Sequence, residues 1–447
     1  MNSILTNDAK HVWHPLRQAQ TEIAVTPILR AKGSVLYGEN GKEYLDMVSS
    51  WWVNTHGHAH PKIAKAIYEQ AQTLEQVIFA DCTHGPAVQL ASQLAKLLPE
   101  ALTRVFFSDN GSTAVEVALK ISYQYWHNQG QGHRRRFISF EGGYHGDTFG
   151  AMAAGKTSGF ADVFGEFLFD VDTMPYPATW DGDTEIQQKE GEALRHLQVH
   201  LEKYGDQTAS LIIEPLVQGA SGMRMCRPEF LQAMVSMAKS YRILVIFDEI
   251  MTGFGRTGSF FACQKAGVAP DLICLSKGLT GGFLPLSVTV AKEKIYKAFL
   301  GDTFDKAFAH SHSFTANPLG CAAALASLEL FEEENTLQKI KQIETWHRRH
   351  MAELSKHPKV TKTRIMGTIA AFDIKNEESK YALPIVATLK QAFLERGLLI
   401  RPLGNVIYLL PPYCTTEEQL TYAYDSIKEV LDEEFILTKY QKTELPT

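Results

Sequence analysis

The chain is poor in cysteine and has no long apolar run, and each shortage removes a class of protein. Its six cysteines (Cys82, Cys226, Cys263, Cys274, Cys321, Cys414) stand singly, without a Cys-x-x-Cys spacing. That argues against a disulfide framework or a zinc scaffold and fits reduced thiols. No apolar stretch approaches the ~20 residues that cross a bilayer. Met1 to Lys10 lacks the apolar segment of a secretory leader, so a cytoplasmic location is expected. A basic stripe is missing too. The net charge is -6, and the densest basic run, His133-Arg134-Arg135-Arg136, sits just before a strand and reads as a solvated loop. Neither nucleic acid nor membrane is an expected partner. Internal repeats, low-complexity tracts and long linkers are likewise absent.

What is there is the composition of an ordinary globular protein: 447 residues, 45% hydrophobic and 21% charged. Short apolar runs alternate with helical patterns through the middle of the chain, which predicts α/β structure with a mostly parallel sheet. The candidate strands are Arg104 to Phe107, Phe137 to Phe140, Leu211 to Glu214, Ile243 to Phe247, Leu272 to Leu275 and Leu286 to Val290. A helix starts near Ser112, with Val115, Leu119 and Ser122 on one face. The tail is mixed: helices over Cys321 to Glu333, Leu337 to Leu354, Leu383 to Arg396 and Thr416 to Phe435, and strands over Ile369 to Ile374 and Val406 to Leu410. Gly33 to Asp46 reads as a hairpin around Asn40-Gly41. The expected division is a large domain over 61–329 and a smaller α+β domain made from both chain ends, 1–60 and 330–447.

Two nucleotide-binding patterns occur literally. Gly150 to Thr157 has P-loop spacing, and Ile243 to Asp248 could serve as its acidic strand. However, a polar turn precedes Gly150, where a P-loop needs a strand, and Ser158-Gly159 is a poor helix start. Gly253-x-Gly255-x-x-Gly258 has the dinucleotide spacing and follows a strand, yet Asp248 and Glu249 between them would repel a pyrophosphate. It reads better as a tight loop carrying Arg256. A third candidate, Ser108 to Ser112, runs from a strand straight into a helix, so its free amides suit an anion. A plain N-cap by Asn110 or Ser112 explains it equally well. His56, His58 and His60 alternate as metal ligands can, but lack a nearby acid or cysteine at metal spacing and read as a polar loop. Trp51-Trp52 is core or the wall of an apolar pocket.

Asp248 and Lys277 each leave the carboxyl end of a buried strand, so they can converge on one crevice. A pyridoxal phosphate enzyme needs that pair: the lysine forms the Schiff base, and the aspartate keeps the pyridine nitrogen protonated. Taken singly, they are a strand-end cap and a solvated lysine.

Over almost its whole length the chain resembles the class III pyridoxal phosphate aminotransferases. The resemblance is carried by Asn110-Gly111-Ser112, Gly143-Tyr144-His145-Gly146, Glu214-Pro215-Leu216-Val217-Gln218-Gly219, Phe247-Asp248-Glu249, Gly253 to Gly258 and Ser276-Lys277-Gly278. Val12-Trp13-His14-Pro15, Ser49-Ser50-Trp51-Trp52, Asp147-Thr148, Arg401-Pro402-Leu403-Gly404 and Tyr408 to Pro412 are similar to the branch that acts in biotin synthesis. The resemblance implies a type I pyridoxal phosphate transferase fold and a homodimer with interfacial active sites. It makes Lys277 the cofactor lysine and proton carrier, and Asp248 the partner of the pyridinium. Tyr144 would lie over the ring. Gly111 and Ser112 would bind phosphate, with His312 and Ser313 of the neighbouring subunit. Trp52, Asp147, Arg256 and Ser311 would meet substrate, and Arg401 its carboxylate. Glu214 and Gln218 would surround the cofactor. The expected reaction is ping-pong amination of a keto acid, with S-adenosylmethionine or lysine as donor. Another ω-amine aminotransferase, for ornithine, 4-aminobutyrate or a diamine, is the alternative; a P-loop nucleotide hydrolase is a remote one. One departure stands out: Leu16 occupies a position where the family commonly has tyrosine.

Overall fold

All six short apolar runs enter one sheet. The computed structural model describes residues 4–20, 25–39, 41–99, 101–375 and 384–433. The sheet strands are β1 (Leu102–Ser108), β2 (Arg136–Phe140), β3 (Asp172–Met174), β4 (Thr208–Ile213), β5 (Leu244–Asp248), β6 (Leu272–Leu275) and β7 (Ser287–Lys292). Their order is β1-β7-β6-β5-β4-β2-β3, and β7 alone runs against its neighbours. The short β3 has no apolar run of its own and was not expected.

Every residue of β4, β5 and β6 is buried. A sheet covered on both faces favours such near-continuous, mostly apolar runs in place of alternation. Side chains still point to opposite faces in turn. Leu211, Val245, Phe247 and Ile273 pack into one cluster, while Ile212, Ile246 and Cys274 pack into another. Helix α1 (Gly111–Asn128) follows β1 and lays Ala114, Val115, Ala118 and Leu119 on the second face.

The two chain ends meet. Strands Ile28–Lys32, Val35–Gly38 and Glu43–Asp46 form an antiparallel set, with Val35 opposite Leu45 as the hairpin expectation requires. Asn40 lies outside the described residues. Leu398–Leu399 then adds to this sheet in parallel, Leu398 opposite Leu45. A second sheet joins Val360–Met366, Ile369–Ile374 and Val406–Leu409. Helices Thr336–Leu354, Pro384–Glu395 and Glu417–Asp432 contribute Met351, Leu389, Phe393, Leu420 and Ile427 to a core shared with Met47, Phe372 and Ile407. The expected ends at Leu383 and Phe435 fall outside the described residues. Among the described residues, no helix is long and apolar enough to cross a membrane.

Gly367, in the tight turn between the first two of those C-terminal strands, presses on the glycine-rich loop. Its φ is +58°, and a Cβ there would stand 2.3 Å from the Gly258 amide nitrogen and 2.4 Å from the Arg256 carbonyl oxygen. Thr368 donates its amide to that Arg256 carbonyl at 3.0 Å. Backbone on both sides cannot yield. Gly367→Ala is expected to cost about 2 kcal/mol or more. Gly191→Ala, at an exposed position in helix Ile186–Tyr204 with open space at the Cβ, should gain ~0.5–1 kcal/mol. Thermal unfolding of the two variants checks both signs.

Candidate active site

β5 ends at Asp248, which lies opposite Cys274 of β6, and Lys277 follows just beyond β6. The two side chains line one cavity of about 600 Å³. Asp248 is 3% exposed, so its charge depends on donors. One oxygen accepts the Nδ1–H of buried His145 at 2.7 Å, and the other accepts the Ile250 amide at 3.1 Å. His145 keeps its Nε2 buried without a partner. Lys277 takes a φ of +49°, uncommon for a side-chain-bearing residue. Its Nζ lies 4.7 Å from the centre of the Trp52 ring. Burial lowers its pKa to about 8, against the pull of the Asp248 and Glu214 charges. Glu214 accepts the amides of Gly219 at 3.0 Å and Tyr144 at 3.1 Å. Burial pushes it up to about 7, with the Asp248 charge adding and His145 opposing.

The start of α1 closes another side of the cavity. Asn110 caps it, accepting the Thr113 amide at 3.1 Å while Thr113's hydroxyl accepts the Asn110 amide at 3.2 Å. The N-cap reading and the anion reading are therefore compatible. Gly111 and Ser112 line the cavity, and amides in a helix's first turn have no acceptor within the helix. A Cβ on Gly111 would lie 2.9 Å from the Ile250 side chain, and one on Gly146 2.5 Å from that of Ser112. The two glycines let the Ile250 and Ser112 side chains pack closely at the cavity's edge. An acid held by an imidazole, an amine of lowered basicity and an open helix start fit the three ends of pyridoxal phosphate: ring nitrogen, aldehyde and phosphate.

Aromatic side chains form the remaining wall. Trp51, Trp52, Tyr144, Phe160 and Tyr408 line the cavity with Asp147 and Arg401. Tyr144 donates its hydroxyl to Asp147 at 3.0 Å, and burial raises its pKa so that it remains a donor. Trp52 donates its indole N–H to the Tyr408 hydroxyl at 2.9 Å. The Arg401 guanidinium sits 4.9 Å from the Trp51 ring centre. Leu16 and Pro15 also line the cavity, so the unusual Leu16 does face it. The turn carrying the tryptophans is strained: Ser49, Ser50 and Trp52 have φ of 51°, 61° and 64°, roughly 1–3 kcal/mol each.

Some expected residues lie elsewhere. Arg256 is 1% exposed and does not line the cavity. Its guanidinium donates to Ser49 Oγ at 3.2 Å and to the carbonyls of Pro411 at 3.2 Å, Trp52 at 3.4 Å and Asn54 at 2.7 Å. The glycine-rich loop turns it inward as a tie behind the wall. Ser311, His312 and Ser313 do not line the cavity of their own chain. Gln218 bonds the Glu141 carbonyl at 3.0 Å and also stays outside, whereas Glu214 lines it. His56, His58 and His60 diverge to Ser327, Asp46 and Glu334, and no metal-ligating cluster occurs among the described residues.

Both nucleotide patterns are already filled from within. Phe149–Ala154 is a helix, and Glu116 occupies its start, accepting from Gly150 at 2.6 Å and Ala151 at 3.1 Å. A phosphate has no seat there. Glu249 likewise accepts the amides of Ala262 at 2.6 Å and Cys263 at 2.7 Å, at the first helix after the glycine-rich loop. His145 and Tyr408 stand inside the sequence motifs, which assign them no role. Their partners, Asp248 and Trp52, stand 103 and 356 residues away. Adjacency to Tyr144 was the one local signal for His145.

The family profile of the class-III aminotransferases matches residues 17–431. An adenosylmethionine-8-amino-7-oxononanoate aminotransferase of Synechococcus elongatus is 53% identical, over 95% of this chain and 99% of the relative. A like-named protein of Geobacter sulfurreducens is 38% identical over 94% of this chain and 96% of its own. The crystal structure of the like-named Methanocaldococcus jannaschii protein superposes with a TM-score of 0.89 at 34% identity, covering 95% of this chain and 97% of that one. A PLP-bound amine transaminase from an uncultivated Pseudomonas species superposes at 0.88 with 28% identity, over 94% and 97% of the two chains. The fold is that of these transaminases.

Glu214 makes stability depend on pH. Unfolded, it loses its proton near the ordinary glutamate value; folded, it keeps the proton until about 7. Between those values the native state holds the extra proton, so stability falls as pH rises through the window. Glu214→Gln should flatten that part of the profile. Denaturant midpoints of the cofactor-free protein at pH 5 and pH 8 measure it, and an unchanged slope would contradict the shift.

Proposed function

The chain belongs to the class-III aminotransferases, and we propose that it aminates 8-amino-7-oxononanoate to 7,8-diaminononanoate in biotin synthesis. The reading takes pyridoxal phosphate as cofactor, S-adenosylmethionine as amino donor and a homodimer as the working form. The observation that carries it is the single cavity joining Lys277, Asp248 and the α1 start to an aromatic wall that includes Arg401. The names borne by relatives that match nearly end to end support the choice of substrate.

Pyridoxal phosphate, when bound, supplies an aldehyde that captures amines and a ring that takes up the electrons released at the substrate carbon. The chain's own residues do the rest. Lys277, with its basicity lowered by burial, holds a neutral fraction near neutral pH and carries the proton to and from the substrate carbon. Asp248, oriented by His145, faces the ring nitrogen and holds its proton. Gly111 and Ser112 receive the phosphate on the α1 amides, joined by His312 and Ser313 of a second copy. Tyr144 covers the ring, and Trp52 lines the path for an apolar chain. Arg401 offers a planar fork to a carboxylate, a geometry lysine does not match. Asp147 meets the amine of a substrate. The same reading divides the chain into a large domain over 61–329 and a small one over 1–60 with 330–447, a division supported by the Leu398–Leu45 pairing.

The holoenzyme should be yellow, and borohydride should fix the cofactor on the peptide containing Lys277. A colourless protein would sink the cofactor assignment. Single-turnover spectra with 7,8-diaminononanoate, S-adenosylmethionine, lysine and ornithine then sort the substrates. Silence towards 7,8-diaminononanoate would remove the biotin reading and leave the family intact. Arg401→Met should lower kcat/KM for the keto acid by about 10–100-fold with the borohydride adduct unchanged.

A further inference from the structure

The turn Ser49–Trp52 puts a side chain over the Lys277 amine through a backbone that side-chain-bearing residues avoid. Something must hold it there. Asp46 does most of that work: fully buried, it accepts the Val48 amide on one oxygen at 3.1 Å and the Ser50 amide on the other at 2.5 Å. A buried carboxylate between two amides still needs a further donor, and His58 supplies it from Nε2 to the Ser50-bound oxygen at 2.8 Å. His58 is itself pinned, exchanging backbone hydrogen bonds with Gly33 at 2.7 and 3.1 Å. From the far side, the Ser49 hydroxyl donates to the Leu410 carbonyl at 2.7 Å, and Arg256 donates to Ser49 Oγ and the Trp52 carbonyl.

We propose that Asp46 and His58 are positioning residues for the reaction: together they brace the strained turn that sets Trp52 against Lys277 and Tyr408, and so fix the width of the substrate path. Neither residue lines the cavity; they act through Trp52. This explains the middle histidine of the His56–His60 run, which holds a carboxylate rather than a metal. The kinetic part rests on the aminotransferase reading above; the spectroscopic part does not.

The test compares His58→Ala, which removes the donor, with His58→Gln, whose amide Nε2 restores one. Each holoenzyme is labelled with 5-fluorotryptophan, and the Trp52 line is assigned among the six tryptophans by Trp52→Phe. In His58→Ala the Trp52 fluorine line should shift or broaden, and KM for the keto acid should rise about ten-fold with kcat and the Lys277 borohydride adduct unchanged. His58→Gln should bring line and KM back towards the parent. Asp46→Asn, which keeps the shape but weakens the acceptor, should move the line in the same direction as His58→Ala. An unmoved Trp52 line in His58→Ala overturns the proposal, as does a loss of kcat, adduct and thermal stability together. A parent that ignores the keto acid while the fluorine lines behave as stated removes the proposed substrate and leaves the brace standing.

Discussion

Holding an amine and an acid out of water within one crevice is the demand on which the rest of this structure depends. Charges buried without partners are costly enough that the group loses or gains a proton instead. For Lys277 that outcome is useful, because an amine that gives up its proton near neutral pH can move protons. Asp248 instead has a donor on each oxygen, the His145 imidazole and the Ile250 amide. Glu214 accepts backbone amides, and burial pushes it up to about 7.

The same logic separates a helix start that can take a ligand from those that cannot. The helices at Phe149 and Ala262 each have a glutamate of this chain folded onto their first amides. α1 has only the short Asn110 side chain, which reaches Thr113 and leaves the earlier amides beside the cavity. A glycine-rich spacing reports a turn. Whether the turn holds an anion depends on what the rest of the chain has already placed there.

That difference explains how much could be read from the order of residues. The central strands were legible because β4, β5 and β6 are short, mostly apolar runs, and Asp248 and Lys277 because each stands at or just beyond the end of such a run. The α1 start was legible as a local capping pattern. β3 escaped because three residues at the sheet's margin carry no pattern. For Arg256 the sequence offers a tight loop, and only the fold shows the Ser49 turn and Asn54 meeting its donors. His145 and Asp46 share that difficulty: a histidine and an aspartate acquire meaning from a partner, and residue order does not name it.

The distances along the chain have a consequence for when this protein can work. Trp52 meets Tyr408 across 356 residues, Ser49 meets Leu410 across 361, and the strand containing Leu45 waits for Leu398. On a ribosome, the first fifty residues therefore emerge long before the segments that shape them, a delay on the order of tens of seconds. The central sheet, whose strands are all made by residue 292, can assemble in that interval. The wall of the cavity is completed last, so a nascent chain can hold Asp248 and Lys277 in place before the far side of their cavity exists.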